Sequence, residues 1–255
     1  MRGFVTAIRT LTMLPCPGRD AEDLSRALPF FPLIGALLGG LTALIAWGVA
    51  TSFHWMDGAA VACVIATALV TRGLHLDGLA DTADALGGGR TTETRLRIMK
   101  DPHTGAFGVI AVVGDLLIRY VAIAQIICFD GWRWLVIPAV LSRTVMVKLA
   151  VALPYARAEG GTAESFVRNA RPWHWAVAVL LGAGCCYAAA GILGLLFMPL
   201  VYIFALLLMV WMRRLFGGVT GDLLGWANEV VECVLYAILA LVVPHLQTMG
   251  VDIFW

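Results

Sequence analysis

Runs of about twenty apolar residues recur along this chain, and they exclude most of the folds that 255 residues could adopt. A helix needs roughly 20 consecutive apolar residues to cross the hydrocarbon core of a bilayer, where backbone N–H and C=O groups find no water and must bond within the segment. Segments of this kind fall at 30–50, 59–74, 107–129, 134–153, 173–193, 198–212 and 223–245. The stretch 173–212 is too long for one crossing, and Gly191, Gly194 and Pro199 are the turn residues expected to divide it. The sequence therefore predicts an all-α, polytopic transmembrane bundle of about seven spans. Composition agrees: 60% of the residues are hydrophobic and 14% charged, where a soluble domain carries about a quarter charged residues.

Lys and Arg are expected to gather in alternate loops, on the cytoplasmic side. Arg2, Arg9, Arg19 and Arg26 precede the first predicted span, and Arg72, Arg90, Arg95, Arg97 and Lys100 surround the second loop. Arg157, Arg168, Arg171, Arg213 and Arg214 occupy the fourth and sixth loops, whereas the opposite loops hold only Arg133. This asymmetry predicts a cytoplasmic N-terminus and an outer tail. One integral membrane domain is expected over 1–255, with an amphipathic interfacial segment at 1–28 and a cytoplasmic helix end and loop at 75–106. Pro15 and Pro17 fall where a signal peptide would need a longer apolar core. Lipid is the partner that composition demands. A net charge of +1 offers no basic surface for nucleic acid, and the six cysteines lack CxxC spacing and read as small hydrophobes. The sequence leaves a homo-oligomer open.

The sharpest chemical signal is HLDGLADTADALGGG at 75–89. Asp77, Asp81 and Asp84 recur at i, i+4 and i+7, which on a continuing helix places three carboxylates on one stripe. No Lys or Arg is interleaved, so a cation is expected among them, and an all-oxygen donor set suits Mg²⁺ better than zinc. A solvated acidic helix end is the plainer reading. A second acidic group opens the last span in GGVTGDLLGWANEVVE, where Asp222, Glu229 and Glu232 follow Gly217, Gly218 and Gly221. Ionisable residues inside a membrane are functional candidates by default, although Glu229 and Glu232 pairing with Arg143 or Lys148 would also account for them. In KDPHTGAFG, at 100–108, Lys100, Asp101 and Gly105 lead into a helix whose free N–H groups are expected to cradle a phosphate, or to form an ordinary turn. Asp115 and Arg119 are spaced for an internal ion pair. Arg143 needs a partner from elsewhere, and Arg157 either snorkels or meets substrate. His75 is a candidate general base or a hydrogen-bonding support.

Together these segments resemble the cobalamin (5′-phosphate) synthase family, the adenosylcobinamide-GDP ribazoletransferases. The resemblance covers nearly the whole chain: IRTLTMLPCP, FPLIGALLGG, HLDGLADTADAL, RLRIMKDPHTGAFG, LSR around Arg143, YARAEG and GGVTGDLLGWANEVVE. HLDGLADTAD followed by GxTGDLLG is the specific combination. Arg72 stands where a small residue is expected, and Asn228 interrupts an apolar stretch; neither is assigned a role.

The resemblance implies a multi-pass enzyme of the bacterial cytoplasmic membrane. A ribose hydroxyl of α-ribazole or its 5′-phosphate would attack adenosylcobinamide-GDP and release GMP at a site facing the cytoplasm. It further implies Mg²⁺ held against the pyrophosphate by Asp77, Asp81, Asp84, Asp222 and Glu229. Lys100, Arg143 or Arg157 would neutralise developing charge, and a carboxylate or His75 would take the proton. Substrate contacts are expected from Asp101, Gly105, Arg157, Gly218, Gly221 and Glu232. A CDP-alcohol phosphotransferase is the nearest rival, but its DxxDG register and following Arg are absent. An ion-coupled secondary transporter would call for inverted repeats, which the sequence lacks.

Overall fold

The computed structural model describes residues 1–249, so the last six positions of the expected 1–255 domain lie outside the described residues. Helix α1 (Arg2–Leu11) turns Gly3, Thr6, Ala7 and Leu11 inward and leaves Phe4 exposed, the amphipathic pattern expected near the N-terminus. A 3₁₀ segment, Leu24–Phe30, leads into α2 (Phe31–Phe53). Next come α3 (Met56–Val70), α4 (Leu74–Gly88), α5 (Thr92–Ile98) and α6 (Ala106–Cys128). Helix α7 (Val136–Ala152) is followed by the short α8 (Glu164–Arg168), then α9 (Pro172–Leu195), α10 (Phe197–Phe216) and α11 (Gly221–Thr248). No strand occurs among the described residues; a single parallel bridge joins Tyr155 to Val219.

Among the described residues, six helical segments are long and apolar enough to cross a membrane, and the bent pair α3 and α4 makes up to seven. The division expected in the long apolar stretch is present. Ala190 and Gly191 leave helical geometry, Gly191 with φ 58°, and the chain passes from α9 to α10 at Leu196.

The second span differs from its expected limits. It ends at Val70 rather than Leu74, and the aspartate-bearing segment is a separate helix turned by 88°. Arg72 and Gly73 cause the turn, with φ of 54° and 64°. The Gly73 N–H bonds back to the Ala68 carbonyl at 2.8 Å, and the Arg72 N–H bonds to Leu69 at 3.0 Å. This is a Schellman-type helix end with arginine in the left-handed position that usually holds glycine. The turn sets α4 against the other helices instead of prolonging α3.

Helix α7 lies at the centre, packed on α2, α9 and α11, with almost every side chain from Ile137 to Val147 buried. With lipid outside, apolar burial cannot distinguish helix from helix, so close backbone approach and interhelical polar bonds decide the packing. Both occur where α11 meets α4, α6 and α7.

Candidate active site

Helices α4 and α11 cross where each carries a glycine. A Cβ at Gly78 would strike the backbone carbonyl of Asp222, and one at Gly225 would lie 3.2 Å from the Cα of His75. The first turn of α11, capped by the Thr220 hydroxyl accepting the Leu223 N–H at 3.2 Å, is therefore pressed onto the first turns of α4. Asp222 joins Asp77, Asp81 and Asp84. Gly78→Val should force this crossing apart. Overpacking of that kind costs about 1–3 kcal/mol, so the variant is expected to melt several degrees lower and lose turnover. Gly40→Ala, where a Cβ meets nothing within 4 Å, should do neither in the same thermal scan.

Asp81 is the half-buried centre of the group. Burial pushes its carboxyl up to about 7, and the like charges of Asp77 and Asp222 add to the rise, against the Arg157 guanidinium. Arg157 reaches in from the loop after α7 and donates to Asp222 at 2.7 Å. That loop is fixed by backbone bonds of 2.9 Å from Ala156 to Val219 and from Val219 to Pro154. Gly218 leaves room for the Pro154 carbonyl, so YARAEG and GGVTGD, distant in sequence, form one wall.

Asp84 has a second task. Its carboxylate accepts the N–H groups of Gly105 at 2.7 Å and Gly108 at 2.9 Å, capping α6 from a neighbouring helix. Gly105 occupies the N-cap position and has no side chain for this purpose. In this structure Asp84 occupies the helix N-terminus expected either to cradle phosphate or to form an ordinary turn. Lys100 pairs instead with Glu159, and exposed Asp101 accepts the His103 backbone N–H at 3.0 Å.

The remaining expected site residues lie in a deeper ionic cluster. Arg119 bonds Asp115 at 2.8 Å, Glu232 at 3.1 Å and Glu229, while Arg143 pairs with Glu232. Asn228 donates to Glu229 at 3.0 Å, Ser142 donates to Glu232 at 3.2 Å, and His75 Nδ1 stands 3.2 Å from Asn228 Nδ2. All of these residues are buried. Glu229 therefore lies in this cluster and not beside the aspartates, Glu232 and Arg143 pair with each other, and His75 is enclosed. A buried charge requires a paired and hydrogen-bonded partner, and the two arginines supply it. The Asp115–Arg119 pair is present as expected. Arg119 as hub and Asn228 as bridge were not legible beforehand, although Asn228, Glu229 and Glu232 share one face of α11 by spacing.

Among the described residues, no three His, Cys, Asp or Glu side chains are gathered closely enough to hold an ion. The donor chemistry nevertheless suits one. Asp77, Asp84 and Asp222 surround Asp81 with carboxylates against the single guanidinium of Arg157, an excess of hard oxygen and negative charge. Two cavities meet at Asp77. One, of about 730 Å³, includes Arg9, Arg72 and Thr104 in its walls; the other, of about 300 Å³, lies against Phe31, His75, Met146 and Asp222.

The described residues thus define a polytopic helical membrane protein with an acidic, arginine-flanked site beside two cavities. The sequence profile of the cobalamin-5-phosphate synthase family matches residues 3–240. A protein of Chlorobaculum tepidum named adenosylcobinamide-GDP ribazoletransferase is 42% identical over 247 residues, 94% of this chain and 96% of its own. Proteins of the same name from Chlorobium phaeobacteroides and Syntrophobacter fumaroxidans are 42% and 38% identical, covering 92% and 91% of this chain and 96% and 95% of their own. No solved structure matches. The chain belongs to the cobalamin-5-phosphate synthase family, and is an enzyme of the transferase class, as its motifs imply.

Proposed function

We propose that the face formed by α4 and the start of α11 transfers the adenosylcobinamide-phosphate moiety of adenosylcobinamide-GDP to α-ribazole or its 5′-phosphate. A ribose hydroxyl oxygen bonds to the cobinamide-side phosphorus. The bond from that phosphorus to the bridging oxygen breaks, GMP leaves with the oxygen, and the hydroxyl proton passes to a carboxylate of the acidic face. The observation that carries this reading is Asp81, half-buried among Asp77, Asp84 and Asp222 with Arg157 beside it, and next to Asp77, which lines both cavities. Transfer at phosphorus requires positioning and charge neutralisation more than a covalent nucleophile.

Asp77, Asp81, Asp84 and Asp222 are the residues that would hold Mg²⁺; Asp84 keeps lone pairs free beyond the two it uses for capping. When bound, the ion would neutralise charge on the diphosphate and orient it. Arg157 holds Asp222 in place and brings a fixed positive charge to the same wall. Arg72, exposed at the turn between α3 and α4, points to the wider cavity as the donor's side. The distribution of Lys and Arg supports a site facing the cytoplasm and placement in the bacterial cytoplasmic membrane.

The test is a mass-spectrometric assay of protein in lipid, given adenosylcobinamide-GDP and α-ribazole 5′-phosphate. GMP and cobalamin phosphate are expected together, to vanish with a chelator and to return with added Mg²⁺. Folded protein releasing no GMP under these conditions would sink the transferase reading, and full turnover in chelator would remove the metal from it.

A further inference from the structure

The smaller cavity has a chemistry of its own. Its volume of about 300 Å³ lies at the low end for small-molecule pockets, enough for a nucleoside and far too little for a corrin ring. Leu28, Phe31, Met146 and Phe166 make its walls apolar, and the rings of Phe31 and Phe166 stand 6.3 Å apart at 53°. Asp77 and Asp222 are its charged walls, and both also act on Asp81. An occupant should therefore be apolar against the aromatic and aliphatic walls, and hydroxylated or phosphorylated beside Asp77 and Asp222.

His75 lines this cavity with its Nε2 unpartnered, although the side chain is only 2% exposed. A buried polar atom without a partner is rare and calls for one. Asn228 Nδ2 gives one hydrogen to Glu229 at 3.0 Å, and His75 Nδ1 at 3.2 Å is nearer to its second than Glu232 is at 3.4 Å, so Nδ1 accepts. The proton of the neutral ring then sits on Nε2, which is left as a donor without an acceptor.

We infer, on the basis of the proposed transferase reading, that this cavity seats the bicyclic aromatic base of the acceptor riboside, with the base's free ring nitrogen accepting the His75 Nε2–H. The ribose then projects past Asp77 and Asp222 to the acidic face, while the donor approaches through the wider cavity on the other side of Asp77. His75 is a positioning residue in this arrangement, held in the required tautomer by Asn228.

Two measurements test it, both steady-state assays of the full chain in lipid. The first compares the riboside of dimethylbenzimidazole with that of dimethylindole, which keeps the shape and replaces the free ring nitrogen by carbon. An unpartnered buried donor costs about 1–3 kcal/mol, so wild-type protein should favour the benzimidazole by about 5- to 150-fold in kcat/KM, and His75→Leu should erase most of that preference. The second narrows the cavity at its rim. A Cβ at Gly221 would sit 3.4 Å from Ala163 Cβ and 3.7 Å from Thr162 Oγ1, ordinary contacts, so the first added carbon of Gly221→Val fits and its two methyl groups take up space at the rim.

Gly221→Val should raise the acceptor's KM about tenfold, the effect of losing good apolar contact, and leave the donor's KM within about twofold. Should His75→Leu fail to fold, the analogue comparison in wild-type protein and the Gly221→Val kinetics still decide. Equal use of the two ribosides by wild-type protein, or a rise in donor KM alone in Gly221→Val, would overturn the assignment. Absence of wild-type turnover would count against the transferase reading instead, so the two failures are separable.

Discussion

Asp81→Asn is expected to lower turnover at least a thousandfold while leaving the metal-free protein as stable as the wild type, or more so. The two effects have one cause. Asp81 is held among Asp77, Asp84 and Asp222, and burial with like charge raises its carboxyl to about 7. An acid whose folded pKa is raised favours the fold in its protonated form, so that stability is full below the unfolded carboxyl range and is lost as pH rises through about 7. In chelator, the variant should therefore melt above the wild type at pH 8, by less at pH 5, and level with it only below about pH 4, where the carboxyl is protonated in both folded and unfolded chains.

Adding Mg²⁺ at pH 8 should raise the wild-type midpoint and leave the variant's nearly unchanged, because the amide removes the charge that invites the ion. Loss of an electrostatic group acting on the transferring phosphoryl supplies the kinetic effect. Wild-type-like turnover in Asp81→Asn would keep the function and move its centre away from α4.

Much of this arrangement can be read from the chain, and the parts that cannot share a physical reason. The spans are legible because the bilayer allows only one backbone solution over about twenty residues. The aspartate stripe is legible because helical spacing fixes its geometry once 75–89 is helical, and α4 is. The turn at Arg72 is not: left-handed residues are read from glycine, and here the helix end places arginine first and Gly73 after it. Asp84 is similar, since a cap supplied by another helix leaves no local signature at Gly105. The separation of Asp222 from Glu229 is a matter of depth along one helix. Seven residues carry the chain about 10 Å along the helix axis, from the acidic face into the buried ionic cluster.

That cluster contains an imbalance whose consequence can be measured. Asp115, Glu229 and Glu232 bring three carboxylates, and Arg119 and Arg143 bring two guanidinium groups. Removing Arg143 would leave three acids with one cation, in a site where every member is buried. Breaking a buried pair from one side costs about 3–5 kcal/mol, so Arg143→Met is expected to lower the thermal midpoint on the order of 10 °C in a detergent or lipid scan.

Glu229→Gln instead leaves two acids facing two cations and keeps an acceptor for the Asn228 amide. Its midpoint should fall by much less, and its turnover should stay within about tenfold of the wild type. The pair also separates two roles for Glu229. A metal ligand replaced by Gln would lose turnover as Asp81→Asn does while melting normally, whereas a counter-ion of the cluster shows the opposite pattern. Retained activity in Glu229→Gln together with a large loss of stability in Arg143→Met would place Glu229 in the scaffold that holds α11 against α6 and α7, and leave the chemistry to the four aspartates above it.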